Sequence, residues 1–179
     1  LVLTVTRSEL EMLEQEAMAG CAAAFGRLIR HYDHDLRGVV WAVVRNADET
    51  DDVMQVAYEK AFRSIGSFGG RSSLKTWLHS ICYRAALDHV RYEGRRRHRD
   101  VDGMVDLAGT RLTDDVAIAH NELDAAMAAL DQDRRAVLML TAVLGYTFDE
   151  VAEITGTPRG TVASRAGRAR EQLRKELRE

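Results

Sequence analysis

A chain of 179 residues, 46% hydrophobic and 30% charged, has the composition of one or two small globular domains and excludes a fibre or a disordered polymer. No apolar run approaches the ~20 residues that span a bilayer, and the start LVLTVTRSELEMLEQEAM lacks a basic flank and a small-residue cleavage site. The expectation is a soluble cytoplasmic protein. The formal net charge of −3 conceals segregation: residues 1–62 carry −5, residues 71–99 carry +6, residues 100–158 carry −9 and residues 159–178 carry +5.

The apolar spacing predicts helices over Ser8–Ala19, Ala22–Arg45, Asp51–Ile65 and Ser73–Arg97, with no strand-like alternation anywhere. The third of these, DDVMQVAYEKAFRSI, is apolar around most of its circumference through Val53, Met54, Val56, Ala57, Ala61, Phe62 and Ile65. It leaves a narrow polar stripe of Asp52, Gln55, Glu59 and Arg63, either a solvated edge or a contact surface for a partner. Cys21 and Cys82 stand alone without metal-ligand spacing, so free, buried thiols are expected and no disulfide or zinc site.

Around the fourth helix, Phe68, Trp77, Tyr83 and Tyr92 are interleaved with Arg71, Lys75, Arg84, Arg91, Arg95, Arg96 and Arg97. Aromatic rings beside a basic groove hold single-stranded nucleic acid by stacking, although Trp77 would equally serve as core. The glycine-rich GSFGGRSS is not a phosphate loop, because its glycine spacing is wrong and no strand precedes it. From Asp100 to Thr113 the helical period fails, and DVDGMVDLAGTRLT is placed as a linker. The fold class is therefore all-α, with helical domains over 1–99 and 114–179 joined by a linker over 100–113.

Near the C-terminus, Thr147 and Glu150 form a T-x-x-E capping box that starts a short helix at Phe148, and Gly156 ends it. Thr157 is then expected as an N-cap with Pro158, the only proline, at the first helical position. Beyond it Val162, Ala166, Ala169, Leu173 and Leu177 define a buried face. Gly160, Ser164, Gly167, Arg168, Glu171 and Lys175 face the other way, flanked by Arg159 and Arg165. Two helices joined by a tight glycine-containing turn, the second of them basic, are the helix-turn-helix arrangement that lays a recognition helix in the major groove.

In order, AFGRLIRHYDHDL, DDVMQVAYEKAFRSIGSF, SSLKTWLHSICYRAALDHVR and the C-terminal helix-turn-helix resemble the extracytoplasmic-function sigma factors, group 4 of the sigma-70 family, from about Ala24 to Leu177. The resemblance implies that 1–99 is sigma region 2, which binds core RNA polymerase and melts the promoter −10 element. It implies that 114–179 is sigma region 4, which reads the −35 element as duplex. Asp52, Gln55, Glu59 and Arg63 would then meet the beta-prime clamp helices, and region 4 the beta flap. Phe68, Lys75, Trp77, Arg84, Asp88, Arg91, Arg95 and Arg96 would serve the −10 element, and Arg159, Thr161, Ser164, Arg165 and Arg168 the −35 element. An anti-sigma factor is the implied inhibitor. No catalytic residue, metal, cofactor or small-molecule substrate is implied.

The chain departs from the family pattern at Val56, where glutamate is common, at Arg84, where asparagine is common, and at Ala163 and Gly167, where larger side chains are common. Two other readings compete with the resemblance. A dimeric helix-turn-helix regulator explains residues 146–177 but not the aromatic-basic block. A metalloenzyme would draw on His31 and His34 near Asp33 and Asp35, without an evident third ligand.

Overall fold

A computed structural model describes residues 6–99 and 116–177; the predicted linker over 100–113 lies outside the described residues. The first four helices are α1 (Arg7–Met18), α2 (Ala22–Val44), α3 (Ala47–Ser64) and α4 (Leu74–Arg99), with a 3₁₀ turn at Ile65–Ser67. Each start has a local cause. Thr6 and Glu9 close a capping box on α1, Asn46 accepts from the Glu49 N–H on α3, and the Ser73 hydroxyl accepts from the Thr76 N–H on α4. Asn46 also explains why α3 starts four residues before the predicted Asp51: the acidic run Asp48–Glu49 reads as a loop but suits the positive end of a helix.

α2 is the central element of this bundle and packs on α1, α3 and α4. It supplies Leu28, Leu36, Val39, Val40 and Val43, which meet Val53, Met54 and Ala57 of α3 and Leu78, Cys82 and Ala86 of α4. α3, by contrast, lies at the side. Val53, Met54, Ala57, Ala61 and Ile65 are buried, but Val56 is 47% and Phe62 43% exposed, so the stripe expected to be wholly polar carries two apolar members. Cys82 is buried, and burial pushes its thiol up to about 12; Cys21 is exposed, against expectation.

The second group comprises α5 (Val116–Ala129), α6 (Gln132–Leu138), a π turn at Met139–Val143, α7 (Phe148–Thr155) and α8 (Arg159–Glu176). The capping box of Thr147 and Glu150 forms as predicted, and Gly156, at φ 66°, ends α7. The start of α8 differs from expectation. Pro158 has ψ 143°, so it stands at the N-cap and its carbonyl accepts from the Thr161 and Val162 N–H groups. The Thr157 hydroxyl is instead paired with that of Thr155 at 2.8 Å. Val162, Ala166 and Ala169 are buried and Leu173 is half-buried, but Leu177 is 50% exposed because the helix runs past its support.

The two groups pack together, α4 against α7 and α2 against α6. Most of their buried side chains form one core in which Val137, Leu140, Val151 and Ile154 join Leu36, Val40 and Leu78, while Leu130, Leu138 and Ala169 form a smaller cluster of their own.

Candidate nucleic-acid interface

α8 presents its outer face as the period demands: Arg159, Gly160, Ser164, Gly167, Arg168, Glu171 and Lys175 are all exposed. Small side chains at 160, 164 and 167 keep that face shallow, and the Ser164 hydroxyl is turned back onto the Thr161 carbonyl at 2.9 Å. Arg159, at the helix start, pairs with Asp149 of α7 at 3.2 Å, while exposed Arg168 makes no ion pair among the described residues. Arg165 differs from both. Its guanidinium is three-quarters buried and paired with Asp133 of α6, and its Nη1 has no hydrogen-bond partner among the described residues. A flat basic helix with two outward arginines is shaped for a duplex groove.

The second surface is concave. A pocket of ≈ 420 Å³ between the 3₁₀ turn and α4 is lined by Phe68, Gly69, Arg71, Trp77, Arg84 and, from α7, Glu153. The Phe68 and Trp77 rings are half-buried and tilted at 51°, with centroids 5.4 Å apart. Each half-buried ring packs on the bundle with one side and lines the pocket with the other. Arg71 and Arg84 are exposed beside them. A pocket walled by two aromatic rings and flanked by guanidinium groups suits an unstacked base with its phosphate.

The other predicted residues of this surface are dispersed. Asp88 is exposed and pairs with Lys60 at 3.9 Å and Arg91 at 3.8 Å; Arg95 and Arg96 are exposed further along α4. Lys75 is not on the open surface. It pairs with Asp35 at 2.7 Å and lies 5.8 Å from the Tyr32 ring centre and 5.6 Å from that of Tyr146. On α3, Asp52, Gln55, Glu59 and Arg63 are all exposed, with Glu59 and Arg63 paired one turn apart. A pair so exposed adds little stability and is free to be exchanged for partner contacts.

Sequence reasoning missed the residues that join the two groups. His79 is fully buried on α4, its Nδ1 is 2.9 Å from the Lys75 carbonyl and 3.1 Å from the Tyr146 hydroxyl, and its Nε2 has no partner among the described residues. Burial lowers its pKa from the ordinary histidine value, against the backbone hydrogen bond to Lys75, which raises it. The Tyr83 hydroxyl donates to Asp133 at 3.2 Å. Tyr146 alone had a sequence signal, since an apolar residue just before a capping box is the position of a hydrophobic staple. Among the described residues no group of three His, Cys, Asp or Glu side chains could hold a metal ion around His31 and His34, and Asp33 is taken up by Tyr58 and Arg37. No helix among the described residues is long and apolar enough to cross a membrane.

Two family models match the chain, sigma-70 region 2 over residues 28–96 and sigma-70 region 4 over residues 120–173. The chain is 32% identical to the RNA polymerase sigma-H factor of Pseudomonas aeruginosa, over 97% of its own length and 96% of that protein. It is 32% identical to the ECF RNA polymerase sigma factor SigX of Bacillus subtilis, over 86% and 83% of the two chains. Among solved structures it resembles CnrH in complex with the cytosolic domain of CnrY, with a TM-score of 0.67 and 25% identity over 93% and 95% of the chains. The fold is also that of the sigma factor RpoE from Bartonella quintana, solved with the anti-sigma factor NepR, at a TM-score of 0.76 and 24% identity over 86% and 96%.

Proposed function

The chain belongs to the extracytoplasmic-function sigma factors, group 4 of the sigma-70 family, and from that premise we propose how its surfaces divide the work. Such a factor is not an enzyme; it binds RNA polymerase and directs transcription initiation by recognising promoters. In our reading the outer face of α8 reads the −35 element as duplex, through Arg168 with Thr161, Ser164, Arg159 and Arg165. The Phe68–Trp77 pocket with Arg71, Arg84, Arg91, Arg95 and Arg96 takes bases of the −10 element once they are unpaired. The exposed edge of α3 meets the beta-prime clamp helices, and region 4 meets the beta flap. In this reading the protein works in the cytoplasm, beside polymerase and DNA.

The observation that carries this reading is the pairing, on one chain, of two chemically different basic surfaces: a flat arginine-bearing helix and an aromatic slot 420 Å³ in volume. The first suits duplex recognition, because an exposed helix with a basic outer face fits the major groove. Strand capture needs the second, because a base must be out of its stack to lie on a ring. A dimeric regulator uses only a flat helix and leaves the slot without purpose.

An anti-sigma factor is the proposed inhibitor, as CnrH and RpoE are each solved with a partner. Its natural seat is the apolar groove shared by both regions, where Trp41, Met139 and Val143 line adjoining cavities and Val143 is 67% exposed. The clamp contact is tested by Gln55→Ala with Glu59→Ala. Both positions are exposed, so the fold should persist while co-purification with core polymerase falls about tenfold or more, on the order of 1.4 kcal/mol. Unchanged polymerase affinity would return that edge to solvent.

A further inference from the structure

One of the two cavities that meet at Trp41, Met139 and Val143 is walled by apolar side chains and yet contains a buried arginine. Its volume is ≈ 480 Å³, and Trp41 of α2, Leu123 and Met127 of α5, Leu138 of α6 and Leu173 of α8 line it. Arg45, Arg135, Arg170 and Arg174 line it too, against a single carboxylate, that of Asp124. A cavity of this size and lining suits a small organic molecule, oriented by the few charged groups in the wall.

Arg135 is the member that the fold itself does not account for. Only 8% of the residue is exposed, its Nε is buried without a hydrogen-bond partner, and its guanidinium makes no ion pair among the described residues. Buried charges are ordinarily paired, because taking one out of water without a partner is costly. Burial holds the Arg135 pKa below the ordinary arginine value, and the charge of Arg45 adds to this while Asp131 acts the other way. A guanidinium nevertheless keeps its proton where a buried lysine would lose it, so the positive charge stays.

The surrounding charges do not answer it. Asp124 is taken up by Arg45, which reaches its carboxylate at 3.5 Å and its carbonyl at 3.3 Å while lying 5.3 Å from the Trp41 ring centre. Arg170 and Arg174 are exposed on the flank of α8 that borders the cavity, make no ion pair among the described residues and are absent from the set assigned to the −35 element. The apolar wall is open as well: Leu123 is 45% and Val143 67% exposed. Positive charge and bare apolar surface thus meet in one place.

We infer that this cavity is a binding site for a small amphipathic anion, an unbranched aliphatic carboxylate whose head pairs with Arg135 and whose tail lies along Trp41, Met139 and Val143. Two carboxylate oxygens match the fork of a guanidinium and supply the acceptor that Nε lacks. Arg170 and Arg174 attract the anion to the mouth. Burying the tail against the exposed apolar wall is favourable, and a chain of about ten carbons suits a cavity of this size. The site uses none of the residues assigned to DNA or to the clamp helices and stands whether or not those roles hold. It shares Trp41, Met139 and Val143 with the seat proposed for an anti-sigma factor, so ligand and inhibitor would exclude each other.

The test is isothermal titration calorimetry of the full-length chain with octanoate and decanoate, each kept below its micellar concentration. Both should saturate a single site, and decanoate should bind about fifteenfold more tightly, at roughly fourfold per methylene. Butyrate, a head with little tail, should not saturate, and 1-octanol, a tail without charge, should bind about tenfold more weakly than octanoate or worse. Arg135→Met keeps the apolar stem and removes the charge. It should weaken decanoate by about tenfold or more, abolish the preference for octanoate over 1-octanol, and raise the melting temperature of the free chain, since a buried unpaired charge is gone. Val143→Glu, at an exposed position, leaves Arg135 in place and sets a like charge beside the bound anion; it should also weaken decanoate by about tenfold or more. Circular dichroism checks that both variants keep their helices.

Absence of saturable decanoate binding would overturn the site, as would equal affinity for octanoate and 1-octanol. Unchanged decanoate affinity in either folded variant would overturn it too, by showing that the carboxylate binds elsewhere.

Discussion

In the proposed division of labour, region 2 and region 4 meet the same task, holding a polyanion, with opposite architectures. Region 2 spends its long helices on a deep core centred on α2 and lets two aromatic rings emerge half-buried at one end of α4. Region 4 rests α8 on the short helices α6 and α7 through small side chains, Val162, Ala166 and Ala169, so that α8 stands on its support with a shallow outer face. The proposed ligands account for the difference. A duplex offers its edges in a groove, and a rigid charged rod suffices; a single strand offers ring faces, and a ring can be gripped only by a pocket with a packed wall.

The sharpest way to break this comparison is Trp77→Ala. It removes the platform and its packing on Phe68, and each stacked base contributes ~1–3 kcal/mol. Promoter opening should fall ~10–100-fold while protection of the −35 duplex persists. Equal loss of both would show that the slot and the helix do not act separately. In region 4 the contrast is between two arginines. Arg168→Ala should cost ~1–3 kcal/mol of base discrimination and relax preference within the −35 element. Arg159→Ala, already paired with Asp149, should weaken all promoters alike and reduce the salt slope by about one unit. Competition across a randomised −35 library distinguishes them, and identical uniform losses would remove base reading from Arg168.

A smaller effect concerns acidity. His79 is buried and its pKa is lowered, so the packed arrangement of the two regions disfavours the imidazolium whereas a solvated histidine takes a proton near 6.5. The packing of the two regions therefore has its full stability above about pH 6.5 and loses it as pH falls towards the lowered value, by no more than tenfold per pH unit for one proton. The groups facing His79 and its tyrosine partner are Lys75 from α4, Asp35 and Tyr32 from α2, and Tyr146 and Glu150 from the start of α7. Lys75 opposes protonation and Asp35 favours it, but burial is the leading cause. The scattering radius should grow between pH 7.5 and pH 5.5, and His79→Gln should remove that growth. The smallest effect belongs to Gly167, where an added Cβ meets nothing within 4 Å. Gly167→Ala should stabilise the free protein by ~0.5–1 kcal/mol through helix propensity, as thermal unfolding would report. Loss of −35 binding in that stabilised variant would mean that DNA backbone approaches the glycine closely.

Local features were legible in the sequence wherever their cause is local. The capping box at Thr147 and Glu150, the glycine stop at 156 and the outward face of α8 depend on neighbours within a turn or two, and they form as read. The misreadings were local as well but ambiguous: Asn46 and the acidic residues after it suit both a loop and a helix start, and proline suits both the N-cap and the first helical position. Val56 and Phe62 look like core by composition, and only the placement of α3 at the side of the bundle leaves them exposed. The contact between the regions had no such signal. Tyr83 and Asp133 are 50 positions apart and His79 and Tyr146 are 67 apart, and nothing in the spacing of either pair marks it.

The division of labour is tested most directly on a reconstituted holoenzyme, by measuring thymine reactivity to permanganate at −10 and nuclease protection at −35 on the same promoter. The account predicts both signals with wild type, loss of the −10 signal alone with Trp77→Ala, and loss of −35 protection with Arg168→Ala. It is contradicted if either substitution abolishes both signals equally, or if the sigma factor without polymerase produces both.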